Sequence, residues 1–200
     1  MKKSLLVFIL FFSYDAFSQT AEKYFDSGYE KAENGDYYGA IADYNKAIEL
    51  KPDYYDAYYY RAYAKDELND YYGAISDITK AIQLDPNDAD AYYNRGISKG
   101  SLEDYYGAVS DYNKAIELKP DYPKAFYNRG VSKAKLEDFY GAISDYTKAI
   151  ELKPDYADAY NNRSVVKEKI GDLKGACDDA KKAVDLGNTL SQKWLANNCN

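Results

Sequence analysis

The sequence predicts an all-α fold, an α-solenoid of five helix–turn–helix units with a short capping helix at its C-terminal end. Three observations carry that expectation. Pro52, Pro86, Pro120 and Pro154 stand 34 residues apart. Around them the chain repeats itself as DYYGAIADYNKAIELKPDY, DYYGAISDITKAIQLDPND, DYYGAVSDYNKAIELKPDY and DFYGAISDYTKAIELKPDY, with a degraded fifth copy, DLKGACDDAKKAVDLGNTL. Each copy divides into two stretches whose apolar residues recur at helical spacing. One such pair of helices cannot bury its apolar face alone, so successive pairs must stack.

Ahead of this array, residues 1–18 read as a secretory signal peptide. Lys2 and Lys3 form a positive start, and Leu5 to Phe12 is an apolar run. Ala16-Phe17-Ser18 then places small residues three and one positions before a cut between Ser18 and Gln19. The run is shorter than the roughly 20 apolar residues a membrane span needs. Residues 19–200 are therefore expected in the periplasm or outside the cell with no membrane span, retention of the segment as an anchor being the alternative.

Inside each repeat the helix boundaries have local causes. Asp36, Asp70, Asp104, Asp138 and Asp172 precede the second helix, where a carboxylate accepts from the free N–H groups of a helix start. The proline just past its end stops it. Counting each repeat from Ala21, Tyr55, Ala89, Pro123 and Ala157 gives units at 21–54, 55–88, 89–122, 123–156 and 157–190. Position 4 is then aromatic (Tyr24, Tyr58, Tyr92, Phe126, Tyr160) and position 8 small (Gly28, Ala62, Gly96, Gly130, Ser164). Positions 20 and 27 are alanine throughout, and position 24 is Tyr44, Ile78, Tyr112, Tyr146 and Ala180. Small residues let the two helices approach, and the aromatics fill the space between them.

A 34-residue helix pair with these positions resembles the tetratricopeptide repeat, and the resemblance covers essentially all of residues 19–200. It implies a right-handed solenoid whose first helices line a concave groove holding an extended peptide or a partner helix. Position by position, the groove residues it implies are Phe25, Tyr59, Tyr93 and Tyr127 at position 5, with Asn94, Asn128 and Asn162 at position 6. A carboxamide donates and accepts at once, which suits a ligand backbone; tyrosine offers rigid area with a polar tip. The plainer roles are packing against the next repeat for the tyrosines and local bonding for the asparagines. Tyr38, Tyr72, Tyr106 and Tyr140, at position 18, point away from that groove. They form either a second contact surface or a cover for Gly39, Gly73, Gly107 and Gly141.

Position 7 departs from the family, which is usually apolar there: Ser27 is followed by Arg61, Arg95, Arg129 and Arg163. Position 23 is Asp43, Asp77, Asp111, Asp145 and Asp179. In the expected hairpin these face each other, forming a structural ladder Arg61–Asp77, Arg95–Asp111, Arg129–Asp145 and Arg163–Asp179 with bidentate geometry available. At the C-terminal end the chain should turn at Gly187, with Thr189 capping a last helix over about 190–198. Leu190, Trp194 and Leu195 of that helix should cover the open apolar face. A hairpin folded there brings Cys177 beside Cys199, giving a disulfide in an oxidising compartment or else two buried thiols.

Composition narrows the function. Twenty-five tyrosines argue for a folded chain. The net charge of −7, with basic and acidic residues interleaved, argues against nucleic acid. There is no histidine, which removes the commonest general base and most zinc sites. Asp85, Asn87, Asp88 and Asp90 imitate a calcium loop but lack its glycine and closing glutamate, so a solvated turn is expected. No catalytic residue, cofactor or metal is expected. The expected function is a non-catalytic scaffold or adaptor of the cell envelope that binds a protein or peptide partner. The alternative is a self-associating or glycan-binding envelope protein.

Overall fold

The computed structural model describes residues 20–199; the signal-peptide reading of residues 1–18 lies outside them. Every described element is a helix, and consecutive helices pack in pairs, as a tetratricopeptide-type solenoid requires. Two compact units divide the chain after Asn87. The first holds α1 (20–33), α2 (Tyr37–Leu50), α3 (Tyr55–Glu67) and α4 (Tyr71–Leu84). The second holds α5 (Ala89–Ser101), α6 (Tyr105–Leu118), α7 (Pro123–Lys135), α8 (Phe139–Leu152), α9 (Ala157–Lys169), α10 (Leu173–Asp185) and α11 (Leu190–Asn198).

Each second helix starts at one device. The Asp36 carboxylate accepts from Gly39 N at 2.9 Å, and Asp70, Asp104, Asp138 and Asp172 do the same to Gly73, Gly107, Gly141 and Gly175 at 2.9–3.0 Å. The glycine is needed because a Cβ at Gly107 would fall 2.1 Å from the Asp104 carboxylate oxygen. The cap itself therefore fills the space beside these glycines. Tyr38, Tyr72, Tyr106 and Tyr140 do not cover it; they stand 75–77% exposed. The turn before each cap passes through the left-handed region at Gly35, Asn69, Glu103, Glu137 and Gly171.

Helix separation within a repeat is set by positions 8 and 24. A Cβ on Gly28, Gly96 or Gly130 would come within 2.6–2.8 Å of the ring of Tyr44, Tyr112 or Tyr146. Where position 24 is smaller, position 8 is larger: Ala62 accompanies Ile78, and Ser164 accompanies Ala180. Ala62 with Ile78 keeps the volume of a glycine–tyrosine pair, as close packing demands, whereas Ser164 with Ala180 fills less space.

A buried polar row runs beside that contact. Arg61 grips Asp77 through Nε (2.8 Å) and Nη2 (2.5 Å), and Arg95–Asp111, Arg129–Asp145 and Arg163–Asp179 repeat the fork at 2.5–2.9 Å. The four aspartates are only 3–4% exposed. Each also receives a lysine from one turn further along the first helix: Lys65, Lys99, Lys133 and Lys167 at 2.7–2.8 Å. Arg61 Nη1 reaches back to Asn45 of the preceding repeat, Arg129 Nη1 to Asn113, and Arg163 Nη1 to Thr147. In the first repeat, which has no arginine, Ser27 and Lys31 take over Asp43.

The C-terminal end differs from expectation in two respects. Thr189 makes no side-chain cap. Asn188 does, accepting from Leu190 N at 3.0 Å and donating to Asp158. Leu190 covers nothing, being 77% exposed. Trp194 and Leu195 are half-buried, and the fully buried residue of α11 is Ser191, whose hydroxyl donates to Asn161 Oδ1 at 2.6 Å. Cys177 and Cys199 are joined, with their sulfurs 2.01 Å apart, tying the start of α10 to the end of α11.

Two outcomes follow for stability. Gly130→Ala should cost about 1–3 kcal/mol through overpacking against Tyr146, and Tyr146→Ile on top of it, copying the Ala62/Ile78 pair, should return part of that loss. Urea unfolding of both variants measures the difference. Asp145→Ala leaves the half-buried Arg129 and Lys133 without their anion and should cost about 3 kcal/mol. Asp43→Ala, in the repeat without an arginine, should cost well under half as much in the same assay.

Candidate functional site

The residues expected to line a groove lie on the first helices. In the second unit α7 packs directly against α5 and α9. The Tyr93 ring lies tilted at 4.8 Å from Tyr122 and 5.9 Å from Tyr112; Tyr127 lies 4.9 Å from Tyr156 and 5.9 Å from Tyr146. Asn128 Nδ2 donates to Tyr93 Oη at 2.9 Å, and Asn162 Nδ2 donates to Tyr127 Oη at 2.9 Å. These carboxamides brace one repeat to the next. Asn162 Oδ1 in turn accepts from Asn161, whose own Oδ1 accepts from Ser191, so the line of bonds continues into α11. Asn94 is half-buried and also engaged. In the first unit Phe25 sits among Tyr54, Tyr60 and Tyr44 at 5.3–5.8 Å, while Tyr59 stacks on Tyr55 at 5.9 Å.

Burial governs the tyrosine hydroxyls. It raises Tyr93 and Tyr127 above the ordinary phenol value, with the Asn128 and Asn162 bonds pulling partly back. It pushes Tyr54 up to about 12, Asp56 adding to the effect, and drives Tyr44, Tyr112, Tyr146 and Tyr156 further up. All of these hydroxyls are neutral near neutral pH.

One turn beyond position 5, on the same helix face, the first helices present apolar side chains to solvent. Position 9 is Tyr29, Tyr63, Ile97, Val131 and Val165, of which Tyr29, Tyr63, Ile97 and Val165 are 37–49% exposed. The sequence reading chose positions 5 and 6 and passed over this row. Its signal was the i to i+4 step from each position 5, which puts both residues on one face. Phe25, Tyr93 and Tyr127 at position 5 are held by the next repeat, whereas position 9 leaves apolar surface exposed.

The turn residues Asp85 and Asp88 are used locally, accepting from Asn87 N at 2.9 Å and Asp90 N at 2.8 Å. No group of three or more metal-ligating side chains occurs among the described residues.

The bracing row has one defect. Tyr44 is fully buried and its hydroxyl has no hydrogen-bond partner among the described residues. Tyr146, the counterpart of Tyr44, has the Asn162 amide beside it, and Tyr60 stands where that asparagine would be. An unpaired buried hydroxyl costs about 1–3 kcal/mol. Tyr44→Phe should therefore leave stability unchanged or raise it by about 1 kcal/mol, whereas Tyr127→Phe, which removes the acceptor of Asn162, should lower it. Thermal unfolding of the two variants side by side checks the opposite signs.

Sequence profiles described as "TPR repeat" match residues 28–66 and 100–137, and profiles described as "Tetratricopeptide repeat" match 55–88 and 123–156. No protein of curated function matches the chain in sequence. Among solved structures, it is similar to MamA, at 27% identity and a TM-score of 0.80, over 84% of this chain and 92% of that one. It is also similar to YrrB, described as a TPR protein with an unusual peptide-binding site, at 23% identity and a TM-score of 0.77, over 91% and 98%. A third is Pseudomonas aeruginosa pilF, at 18% identity and a TM-score of 0.78, over 91% and 85%. With profiles matching more than half its length and the helix pairs packed as those profiles require, the chain belongs to the tetratricopeptide repeat proteins.

Proposed function

We propose that this protein is a non-catalytic scaffold or adaptor of the cell envelope that holds a peptide or helix along the face of its first helices. The observation that carries this reading is the exposed apolar row at position 9, recurring on successive first helices. Exposed large apolar side chains in register mark interaction surfaces. Tetratricopeptide repeats are in general interaction modules, and the peptide-binding site named for YrrB is in keeping with such a use here. An envelope location draws support from the Cys177–Cys199 bridge, which persists in oxidising compartments, and from the signal-like N-terminus. The bracing residues Tyr93, Tyr127, Asn128 and Asn162 shape the face, and position 9 makes the contact.

A second reading, self-association or stacking on glycans, is favoured by Tyr38, Tyr72, Tyr106 and Tyr140, the same exposed ring on four successive second helices. Affinity capture from an envelope extract of the source cells separates the two. A partner held by the native bait should be lost from Tyr29→Ser/Tyr63→Ser/Ile97→Ser and kept by Tyr38→Ser/Tyr72→Ser/Tyr106→Ser/Tyr140→Ser. The reverse pattern would transfer the function to the second-helix face.

A further inference from the structure

In the second unit, α7, α8 and α9 surround an open hollow of about 300 Å³. Val131, Val165 and Val166 form its walls, with Phe139 and Tyr146 of α8 behind them. That volume is at the small end for a ligand site and suits one or two side chains rather than a cofactor. Asn162 also lines it, its amide already bonded to Tyr127 and Asn161.

Two lysines complete the lining, Lys135 and Lys169, both exposed. Two residues earlier on the same helices, Lys133 and Lys167 are bound to Asp145 and Asp179. Lys135 and Lys169 have no described carboxylate within ion-pairing distance, and the Lys169 ammonium lies 5.5 Å from the centre of the Phe139 ring. Both occupy position 13 of their repeats. Along the chain that position reads Glu33, Glu67, Ser101, Lys135, Lys169, while position 9 reads Tyr29, Tyr63, Ile97, Val131, Val165. In repeats otherwise almost copied from one another, the first-helix face changes from acidic and aromatic to basic and branched aliphatic. The cationic end arises in a chain of net charge −7, which marks it as a local departure.

We infer that this hollow is a subsite for a peptide segment carrying a leucine-like apolar side chain flanked by carboxylates. The inference rests on the partner-binding reading and specifies the chemistry at one end of it. The apolar side chain enters between Val131 and Val165, removing both from water, and the flanking Asp or Glu residues meet the two unpaired ammoniums. A segment flanked by Lys or Arg would face two uncompensated like charges there, so the site rejects as well as selects. A long acyl carboxylate shares the charge but needs a deeper enclosed channel than this open hollow.

The test is fluorescence anisotropy on the full chain with three probes at low salt. These are a labelled peptide Gly-Ser-Glu-Leu-Leu-Glu-Gly-Ser, its counterpart with Lys for Glu, and its counterpart with Gln for Leu. The first should bind at least tenfold more tightly than either other. Lys135→Glu/Lys169→Glu should weaken it at least tenfold and strengthen the lysine peptide, an inversion that loss of folding cannot produce. Dodecanoate should not displace the bound peptide. Equal binding of the Glu and Lys peptides, a charge reversal that weakens both alike, or displacement by dodecanoate would each overturn the assignment. In the capture experiment, a partner lost from Tyr29→Ser/Tyr63→Ser/Ile97→Ser but kept by Lys135→Glu/Lys169→Glu would sink this subsite alone and leave the broader reading standing.

Discussion

The structure depends first on a carboxylate that is almost out of water. Asp77, Asp111, Asp145 and Asp179 sit on the second helices at 3–4% exposure. A buried carboxylate is tolerable only when its charge and its lone pairs are met. Each takes two bonds from one arginine and one from a lysine, and all of these donors come from the partner helix of the same repeat. The requirement fixes more than charge. A planar fork gripping a planar acceptor sets the rotation of one helix against the other, while the volume match at positions 8 and 24 sets their separation. Register and distance are thus specified by different chemistry on adjacent positions.

The same arginine carries the constraint outward. With Nε and Nη2 on the aspartate, Nη1 of Arg61, Arg129 and Arg163 is left to reach Asn45, Asn113 and Thr147 of the preceding repeats. On the other side, Asn128 and Asn162 hold the preceding tyrosines. In the fourth and fifth repeats two adjacent residues of the first helix reach back to the preceding repeat, the asparagine to a first-helix tyrosine and the arginine to a second-helix side chain. A face held in this way is preorganised, which lowers the ordering cost of binding a partner.

Most of the fold was legible because repetition supplied five readings of each position. The aspartate caps, the proline stops and the facing of Arg61 with Asp77 through Arg163 with Asp179 were all readable from spacing and charge type. What was not legible depended on a third dimension that spacing does not carry. The lysines at position 11 look like ordinary surface charges until the buried carboxylate is seen to need a third donor. Asn128 looks like a free carboxamide until Tyr93 of the neighbouring repeat arrives beside it. Thr189 stands at the N-cap position, yet Asn188, the stronger capping type and one residue closer to the turn at Gly187, is the one that accepts from Leu190 N. Tyr60 breaks the bracing row by a single substitution whose consequence falls on Tyr44, sixteen residues away on another helix.

Where the repeats agree, the agreement has a packing cause, and this makes their disagreements informative. Positions 20, 23 and 27 hardly vary because a different volume or charge there would disturb buried contacts. Positions 9 and 13 lie on the same first helices and are less enclosed, most of the position 9 side chains being exposed, yet they change in step. The aromatic residues and glutamates are in the first unit, and the aliphatic residues and lysines are in the last two repeats. A surface with no task other than solubility would be served by any mixture of charges. Within the second unit, valine at position 9 with lysine at position 13 departs from such a mixture, and the departure is confined to the two first helices that border the hollow between α7 and α9.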